Sequence, residues 1–396
     1  MAKIDVLVGV GSKESLQAAI KAKADAVYFG VNDFNLRAFA KNFEVSELKK
    51  IVSLCHKNKM KSYLTLNSIV YDTELEKIKK IVFEAKKAEI DGIICSDLGV
   101  IEIVKANKIP IHVSTQMSVS NSLSANKLKE FFGIDRVVLA RELSLEKIKE
   151  FKKKSAVDFE VFCHGSMCIS ISGRCFLSLY CFDKSANKGE CTQVCRRTFY
   201  MKESDKELDV VGNTIFSSKD LCTIEFLDKI ADLKPKAIKI EGRTKPAEYV
   251  YVAAKVYKSA LNDISKGKFT EKKKKEYLEE LKKVYNRGFT SGFYFYTPGK
   301  ESIHEKDKSL ETEKKIYLGN ASNFYAKINV FELKLQTELK KGDTIQVEGT
   351  STFFRQKVSS IQIDGKSIQK ANKGSKVGLK VNERVRIKDK VFIISQ

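Results

Sequence analysis

The chain has 396 residues, of which 43% are hydrophobic, so it is long enough for one large globular domain and a smaller one and is not disordered. No apolar run reaches the roughly 18 residues that a spanning helix needs, and no targeting signal is visible. We therefore expect a cytoplasmic protein without a membrane-spanning segment. The net charge of +22 is uneven, because residues 314–396 hold 17 Lys and Arg against 7 Asp and Glu. Such a basic module suggests a polyanionic partner, with RNA the first candidate.

Short apolar runs alternate with amphipathic patterns over the first part of the chain. The runs are 6–10, 26–30, 62–67, 92–95, 111–114, 136–140, 159–163 and 237–240. Helices are predicted between them at 12–22, 46–57, 73–88, 99–106, 122–132 and 145–153, with Ser46 as the N-cap of the second. Hydrophobic strands alternating with helices are typical of a parallel sheet covered on both faces. Eight such units predict an α/β fold, a closed (β/α)8 TIM-type barrel, with an open doubly wound sheet as the alternative.

One connection of the predicted barrel is far longer than the others and carries most of the cysteines. This insertion covers residues 164–236, and seven of the 9 cysteines lie at 163, 168, 175, 181, 191, 195 and 222. An odd count without a signal peptide argues against a disulfide framework. The spacings match neither paired zinc knuckles nor the dense run of bacterial ferredoxins. Spacing alone therefore leaves open an iron–sulfur cluster, a zinc site or redox-active thiols.

The rest of the chain predicts two further helices, a linker and a small β domain. The helices are expected at 246–261 and 271–284, and the polar stretch 301–313 is expected to link a barrel domain, 1–300, to a basic domain, 314–396. Strands at 325–331, 344–348, 357–363, 376–379 and 384–394, separated by turn signals such as Asp364-Gly365, predict a small antiparallel β-barrel.

Several sequence segments resemble those of peptidase family U32, and they occur in the same order. The signature is EVFCHGSMCISISGRCFLS at 160–178, followed by NKGECTQVCR at 187–196, SKDLC at 218–222 and KIEGRTK at 239–245. Further matches are ADAVYFG at 24–30, STQ at 114–116 and NRGFT at 286–290. The resemblance extends over essentially the whole chain, including the basic β domain. Members of this family were filed as collagenase-like peptidases of unknown catalytic type.

The resemblance implies RNA modification more than proteolysis. Better-understood relatives are oxygen-independent hydroxylases, or their partners, that act on the wobble uridine of tRNA, on a cytidine of ribosomal RNA or on the ubiquinone ring. They are associated with a four-iron four-sulfur (4Fe-4S) cluster, and prephenate is the hydroxyl donor in the tRNA branch. By motif, the resemblance implies that the cluster ligands are Cys168, Cys175, Cys191 and Cys222, with Cys195 able to replace one of them.

Polar residues just past the strand ends of such a barrel face its active site. His164, Glu241 and Arg243 are therefore candidate catalytic residues: His164 for proton transfer or as a satisfied histidine near the cluster, and Glu241 as acid or base. Because prephenate carries two carboxylates, an arginine clamp is expected. The candidate substrate-binding residues are Arg174, Gln116 and Arg141.

The basic domain is expected to dock tRNA through phosphate contacts. The candidate residues are Arg355, Lys357, Lys373, Lys376, Arg384 and Arg386. Phe353 and Phe354 are candidates for base stacking or are buried barrel aromatics. The alternatives to an RNA hydroxylase are a collagenase-like peptidase and a non-catalytic iron–sulfur partner of another hydroxylase. The protein is expected to act as a monomer, a homodimer or a heterodimer, and the sequence does not choose among these.

Overall fold

The computed structural model describes residues 3–199, 202–203, 206–207, 216–304 and 309–395. Within this part, a parallel barrel precedes residue 304 and an antiparallel sheet region follows residue 314. Every described helix is too short or too polar to cross a lipid bilayer. The exact division into 1–300, 301–313 and 314–396 stays a prediction.

Eight of the described strands of the first region form a closed barrel, and four short strands lie outside it. The strands of this region are β1 (Asp5–Gly9), β2 (Ala26–Phe29), β3 (Lys61–Leu66), β4 (Gly92–Cys95), β5 (Ile111–Val113), β6 (Arg136–Val138), β7 (Asp158–Ser166), β8 (Lys202–Glu203), β9 (Lys206–Glu207), β10 (Asp220–Cys222), β11 (Ala237–Ile240) and β12 (Phe289–Thr290). Strands β1 to β7 pair in chain order, all in parallel, and β11 pairs in parallel with both β1 and β7. The (β/α)8 prediction is confirmed, and the open-sheet alternative is wrong.

Ten helices are described, and eight of them follow predicted positions, whereas the two short helices within residues 164–236 were not predicted. The helices are α1 (Lys13–Lys21), α2 (Leu48–Lys57), α3 (Leu75–Lys87), α4 (Leu98–Ala106), α5 (Ser122–Phe132), α6 (Leu145–Lys154), α7 (Leu177–Phe182), α8 (Leu227–Asp232), α9 (Ala247–Ser265) and α10 (Glu271–Lys282). The expected N-cap at Ser46 is wrong. A short 3₁₀ turn, Val45–Glu47, precedes α2, and the Glu47 carboxylate accepts a hydrogen bond from the Glu44 N–H at 3.2 Å, which starts the turn earlier.

Strand β7 is nine residues long and extends beyond the barrel at its carboxyl end. There β10 pairs with it antiparallel, placing Cys222 opposite His164 and Asp220 opposite Ser166. Strand β12 then pairs with β10. Both ends of the cysteine-rich insertion are thus fixed to the rim of the barrel.

The barrel interior contains a buried cluster of charged side chains. Glu160, which is fully buried, lies 2.8 Å from Arg136, 3.3 Å from Lys239 and 3.4 Å from His112. Burial raises the pKa of Glu160, but Lys239, His112 and Arg136 outweigh this effect and hold the pKa well below its usual range. Two cations therefore depend on one carboxylate for charge balance.

The C-terminal region forms an antiparallel sheet around a core of its own. Its strands are β13 (Lys314–Tyr325), β14 (Val330–Lys334), β15 (Leu339–Lys340), β16 (Thr344–Gly349), β17 (Thr352–Lys357), β18 (Ile361–Ile363), β19 (Lys366–Ile368), β20 (Lys370–Ala371), β21 (Lys376–Lys380) and β22 (Lys390–Ser395). The main sheet has the order β17-β16-β22-β13-β14-β21-β18-β19, and β15 pairs separately with β20. Side chains such as Phe331, Leu379 and Val391 fill the core.

Three predicted strand positions in this region are wrong in part. The predicted run 384–394 is strand only from Lys390, where β22 begins, because a turn with Lys388 at a φ of +73° precedes it. The predicted run 325–331 contains a turn between β13 and β14, where Asn329 has a φ of +51°. The predicted run 357–363 likewise spans the link between β17 and β18. Strand β13 was not predicted, because its exposed and buried residues do not alternate regularly and Gly319, at a φ of +149°, interrupts it.

The two regions are packed against each other. Phe353 of β17 belongs to the hydrophobic core of the barrel region, where its ring lies 5.2 Å from that of Tyr251. Lys315 bridges Glu248 of α9, at 2.8 Å, and Glu348 of β16, at 2.9 Å. Beside these contacts, a groove lies between the barrel mouth and the C-terminal region.

The buried charge cluster gives a stability prediction. Glu160→Gln leaves Arg136 and Lys239 without a counter-charge, so we expect it to lower the free energy of unfolding by about 3–5 kcal/mol near pH 7. Because the pKa of Glu160 is depressed in the folded state, the advantage of the wild type is full above pH ~5 and shrinks as pH falls below ~4. Denaturant unfolding at several pH values measures this difference. Glu150→Gln, which removes an exposed partner of Lys153, is the control and should leave the midpoint unchanged; equal effects of both variants would contradict the prediction.

Candidate functional site

The carboxyl ends of the barrel strands surround a narrow cavity, which we call the arginine cavity. Three guanidinium groups line it from different elements. Arg37 lies in the loop between β2 and α2, Arg141 follows β6 and Arg243 follows β11. The mouth of this barrel end is where enzymes of this fold class place their chemistry.

Glu241 is the acidic residue among the side chains that line the arginine cavity. Its Oε2 atom lies 3.6 Å from Arg37 Nη2 and 3.9 Å from Arg141 Nη2. Burial raises the pKa of Glu241, but Arg37, Arg141 and Arg243 outweigh burial and lower the pKa below its ordinary value. Glu241 is therefore ionised at neutral pH, which suits it to accept a proton or a hydrogen bond rather than to act as an acid.

Several polar atoms around this cavity are buried without a hydrogen-bond partner among the described residues. They include Glu241 Oε1, Arg141 Nε and Arg243 Nε. The other end of Arg243 is well anchored, since its Nη2 donates to the side-chain oxygens of Asn35 and, at 3.1 Å, of Asn42. Buried polar atoms normally find partners. Three positive groups facing one carboxylate, with donors to spare, fit a small anionic ligand.

The predicted substrate residues Arg141 and Gln116 both line the arginine cavity and also hold the insertion in place. The Arg141 guanidinium lies 3.8 Å from the centre of the Phe162 ring and donates to the Ser166 carbonyl at 2.9 Å. The Gln116 amide donates to the Ser172 carbonyl at 2.9 Å.

A second and larger cavity, the thiol cavity, adjoins the first and is formed largely by the cysteine-rich insertion. Cys168, Cys175, Cys191 and Cys195 line it. Burial raises the pKa of Cys195, Arg196 opposes this, and the neighbouring thiols of Cys168, Cys191 and Cys175 raise it further. The four thiols are therefore close enough to interact. The residues common to both cavities are Leu36, Arg37, Ser172 and Glu241.

Cys222, the fourth ligand implied by the sequence resemblance, lies elsewhere. Its Sγ atom lies 3.8 Å from the hydroxyl oxygen of Tyr257 in the barrel wall, and it does not line the thiol cavity. The neighbouring Cys163 donates to the Lys239 carbonyl at 3.5 Å, and Tyr257 donates to the Cys163 carbonyl at 2.9 Å. Cys195 occupies the place beside the other three predicted ligands.

Two other predicted site residues are not brought to the cavities. His164 is buried in an aromatic cluster, with its Nδ1 atom 3.4 Å from the Tyr257 hydroxyl and its ring stacked on Tyr249. Burial lowers the pKa of His164 to about 4, so the imidazole is neutral at pH 7. Arg174 is exposed and lines neither cavity.

The sequence reasoning missed Arg37, Asn35 and Asn42, which lie together in the loop after β2. The available signal was their position past the end of a predicted strand, the same rule that selected Gln116 and Arg141. Arg37 lies eight positions beyond the end of β2 at Phe29, so it does not directly follow the strand as Gln116 and Arg141 follow theirs.

The thiols of the second cavity can be compared with the kinds of metal centre that the cysteine spacing leaves open. Among the described residues, no three His, Cys, Asp or Glu side chains converge closely enough to hold a single metal ion. In a 4Fe-4S cluster each of four thiolates binds a different iron, so its ligands surround the cluster instead of converging on one atom. Four thiols that line one cavity are the donor set that such a cluster needs.

The fold and the two cavities define a (β/α)8-barrel protein with a basic C-terminal β domain and a thiol-lined chamber at the barrel mouth. The model of peptidase family U32 matches residues 11–304, and the chain belongs to this family. It is 39% identical to a Methanocaldococcus jannaschii protein named uncharacterized protease MJ0090, over 100% of this chain and 99% of the relative. It is 37% identical to a collagenase of Porphyromonas gingivalis, over 98% and 97% of the two chains. It is 32% identical to tRNA hydroxylation protein P1 of Bacillus subtilis, over 88% and 84%.

The contact between the insertion and the Arg37 loop gives a second prediction. Gly189 has a φ of +96°, and a Cβ atom there would lie 2.1 Å from the Asn35 carbonyl oxygen. Gly133 also has a positive φ, +66°, but no atom lies within 4 Å of its Cβ position. We expect Gly133→Ala to cost ~1–2 kcal/mol of backbone strain, and Gly189→Ala to cost ~1–3 kcal/mol more because of the clash. Denaturant unfolding compares the two; equal losses would show that the loop and insertion are not in the described contact.

Proposed function

We propose that the chain is an iron–sulfur RNA-modifying enzyme that hydroxylates a tRNA wobble uridine at C5, with prephenate as the hydroxyl donor. The observation that carries this proposal is the contact between the two cavities. Four thiols and three guanidinium groups open onto a shared wall that contains Arg37 and Glu241. The name of the Bacillus subtilis relative, tRNA hydroxylation protein P1, supports the same reaction class.

The arginine cavity is the proposed binding place of prephenate. Prephenate is a dianion, and Arg37, Arg141 and Arg243 exceed the charge of Glu241 by two, while Lys239, which also lines the cavity, is paired with the buried Glu160 at 3.3 Å. Guanidinium groups pair with carboxylates through two parallel hydrogen bonds, and the unpartnered Nε atoms of Arg141 and Arg243 are available as donors. Glu241, held ionised by these arginines, is placed to accept a proton at its free Oε1 atom.

The thiol cavity is the proposed place of the cluster, with Cys168, Cys175, Cys191 and Cys195 as its ligands. A bound cluster supplies redox capacity or an iron that acts as a Lewis acid. The protein contributes the thiolates, and the closed barrel beneath them excludes water from one side. Cys222 and Cys163 support the barrel wall.

The proposed net reaction is balanced without dioxygen. One oxygen atom is inserted into the C5–H bond of uridine, which is a two-electron oxidation of the base. The C–O bond of the prephenate ring hydroxyl breaks and a C–H bond replaces it, which is a two-electron reduction of the donor, so the hydroxyl group and the hydrogen atom exchange places between the two substrates. A base must leave its stack to reach such a cavity, as in other enzymes that act on nucleobases.

The C-terminal region offers basic residues for tRNA. Lys357, Lys373 and Arg384 are exposed and make no ion pair within the described part of the chain. In contrast, Arg355 and Lys376 pair with Glu313, at 2.9 Å, and Glu332, at 3.1 Å, while Arg386 donates to Ser351 and Thr352. Phe353 and Phe354 are 5% and 3% exposed, so neither presents a face to a base.

The relatives named as collagenases keep proteolysis as the second candidate. The adjacent Cys163 and His164 do not form a nucleophile–base pair. The Cys163 thiol donates to a backbone carbonyl, and the His164 ring meets Tyr257. A role as a non-catalytic partner of another hydroxylase would keep the cluster but form no product by itself.

The ligand assignment predicts a specific pattern of cluster loss. Changing Cys168, Cys175, Cys191 or Cys195 singly to Ala should remove most of the iron and acid-labile sulfide, because each loss leaves one iron without its thiolate. Cys222→Ala is the matched control and should retain about four irons per chain. Iron and sulfide analysis of protein purified without oxygen measures this. A Cys222→Ala variant without iron beside an intact Cys195→Ala variant would reverse the assignment.

The function is tested by the nucleosides of tRNA from a strain that lacks the gene. Mass spectrometry should show that 5-hydroxyuridine and its derivatives disappear and that the wild-type gene restores them. Arg37→Gln should reduce the apparent affinity for prephenate about tenfold or more, because a charged hydrogen bond is lost. The control Arg174→Gln changes an exposed arginine outside both cavities and should behave as wild type. Unchanged tRNA in the deletion strain would overturn the proposal.

A further inference from the structure

Phe39 is a large apolar side chain held in an unusual place. Its side chain is 60% exposed although it lies two residues from Arg37, at the rim of the site. It lines the thiol cavity, and it also lines an open groove between the barrel mouth and the C-terminal region. A single exposed aromatic needs no explanation by itself, but this one lies where the groove and the thiol cavity meet.

The inter-domain groove is lined on one side by loops of the barrel mouth and on the other by the turns before β17 and β22. Its far end reaches Arg243, so it is continuous with both cavities. Lys388 and Lys390 line it, are exposed and make no ion pair within 4 Å in the described part of the chain, whereas the Lys245 ammonium group lies 3.7 Å from the centre of the Tyr285 ring. Two of its carboxylates are engaged, since Glu348 binds Lys315 at 2.9 Å and Asp389 accepts the Arg386 N–H at 2.9 Å. The groove therefore offers cations to a polyanion.

The loop that carries Phe39 is held by hydrogen bonds on both sides. The Ala38 N–H donates to the Gly189 carbonyl at 3.0 Å, and the Ala40 N–H donates to the Arg37 carbonyl at 3.0 Å. The side-chain amide of Asn42 donates to the carbonyls of Arg37, at 2.9 Å, and Ala40, at 3.0 Å. The loop backbone that carries the Phe39 ring is therefore already ordered, so a ligand that binds there pays little entropy to order it.

We propose that Phe39 is the stacking platform for the target base and that the inter-domain groove holds the phosphates of the single-stranded RNA segment that carries it. Aromatic rings stack on any unpaired base, and lysines contact phosphates without reading sequence. The barrel-mouth position of Phe39 and the two exposed, unpaired lysines, Lys388 and Lys390, favour RNA over a peptide. This inference deepens the proposed function and rests on it for the identity of the base.

The test uses the full-length protein and a short single-stranded oligoribonucleotide that contains one 5-iodouridine. On ultraviolet irradiation, this probe should cross-link to Phe39, as located by peptide mass spectrometry. Phe39→Ala and the size-matched Phe39→Leu should weaken binding about tenfold without changing its salt dependence, whereas Phe39→Tyr should bind as wild type. The variant with both Lys388→Gln and Lys390→Gln should reduce the slope of log Kd against log salt by about 0.7 per lysine. Phe131→Ala, which removes another exposed aromatic, from α5, is the control.

The outcomes separate this inference from the proposed function. RNA binding with the cross-link at another residue, and a Phe39→Ala variant within about twofold of the wild-type Kd, would overturn the role of Phe39 and leave the hydroxylase proposal standing. A cross-link at Phe39 without any hydroxylated nucleoside would support the stacking site while contradicting the reaction. Binding of denatured collagen in place of the oligoribonucleotide would overturn the inference.

Discussion

The carboxylate of Glu241 facing three buried or half-buried guanidinium groups is the interaction on which the site depends. Each arginine belongs to a different part of the mouth, so one acidic group links the ends of β6 and β11 to the loop after β2. The backbone leaves room for this arrangement. A Cβ atom on Gly11 would lie 1.9 Å from the Arg243 carbonyl oxygen, a contact that no side chain at that position avoids. Removing one partner of such a buried charge group would leave the others without charge balance, which is costly.

The same charged group connects the barrel to the cysteine-rich insertion. Arg141 and Gln116 each donate a hydrogen bond to a backbone carbonyl of the insertion. In the loop that carries Arg37, the Ala38 N–H donates to the Gly189 carbonyl of the insertion. The thiols are thereby held next to the arginine cavity by side chains that also line it. A group bound by the thiols and an anion bound by the arginines would share one wall, which is the geometric basis for coupling the two in one reaction.

Much of the barrel was predictable because its strands are buried on both faces and stand out as apolar runs between amphipathic helices. Strand β10 was not, since three residues carry no periodicity and its pairing with β7 is a long-range contact. That pairing also places Cys222 beside Tyr257, 3.8 Å from its hydroxyl oxygen, and outside the lining of the thiol cavity. The U32 motifs identified the cysteines, Glu241 and Arg243, whereas Arg37 and Phe39 depend on a loop conformation that no sequence pattern describes. In the C-terminal region, β13 lacks alternation and so escaped prediction.

The most direct measurement is an anaerobic reaction of the purified protein with tRNA and prephenate whose ring hydroxyl carries an oxygen isotope label. The account predicts that the label appears in 5-hydroxyuridine, in the absence of dioxygen and in proportion to the prephenate consumed. A hydroxylated nucleoside without the label, or no product while denatured collagen is cleaved under the same conditions, would contradict it.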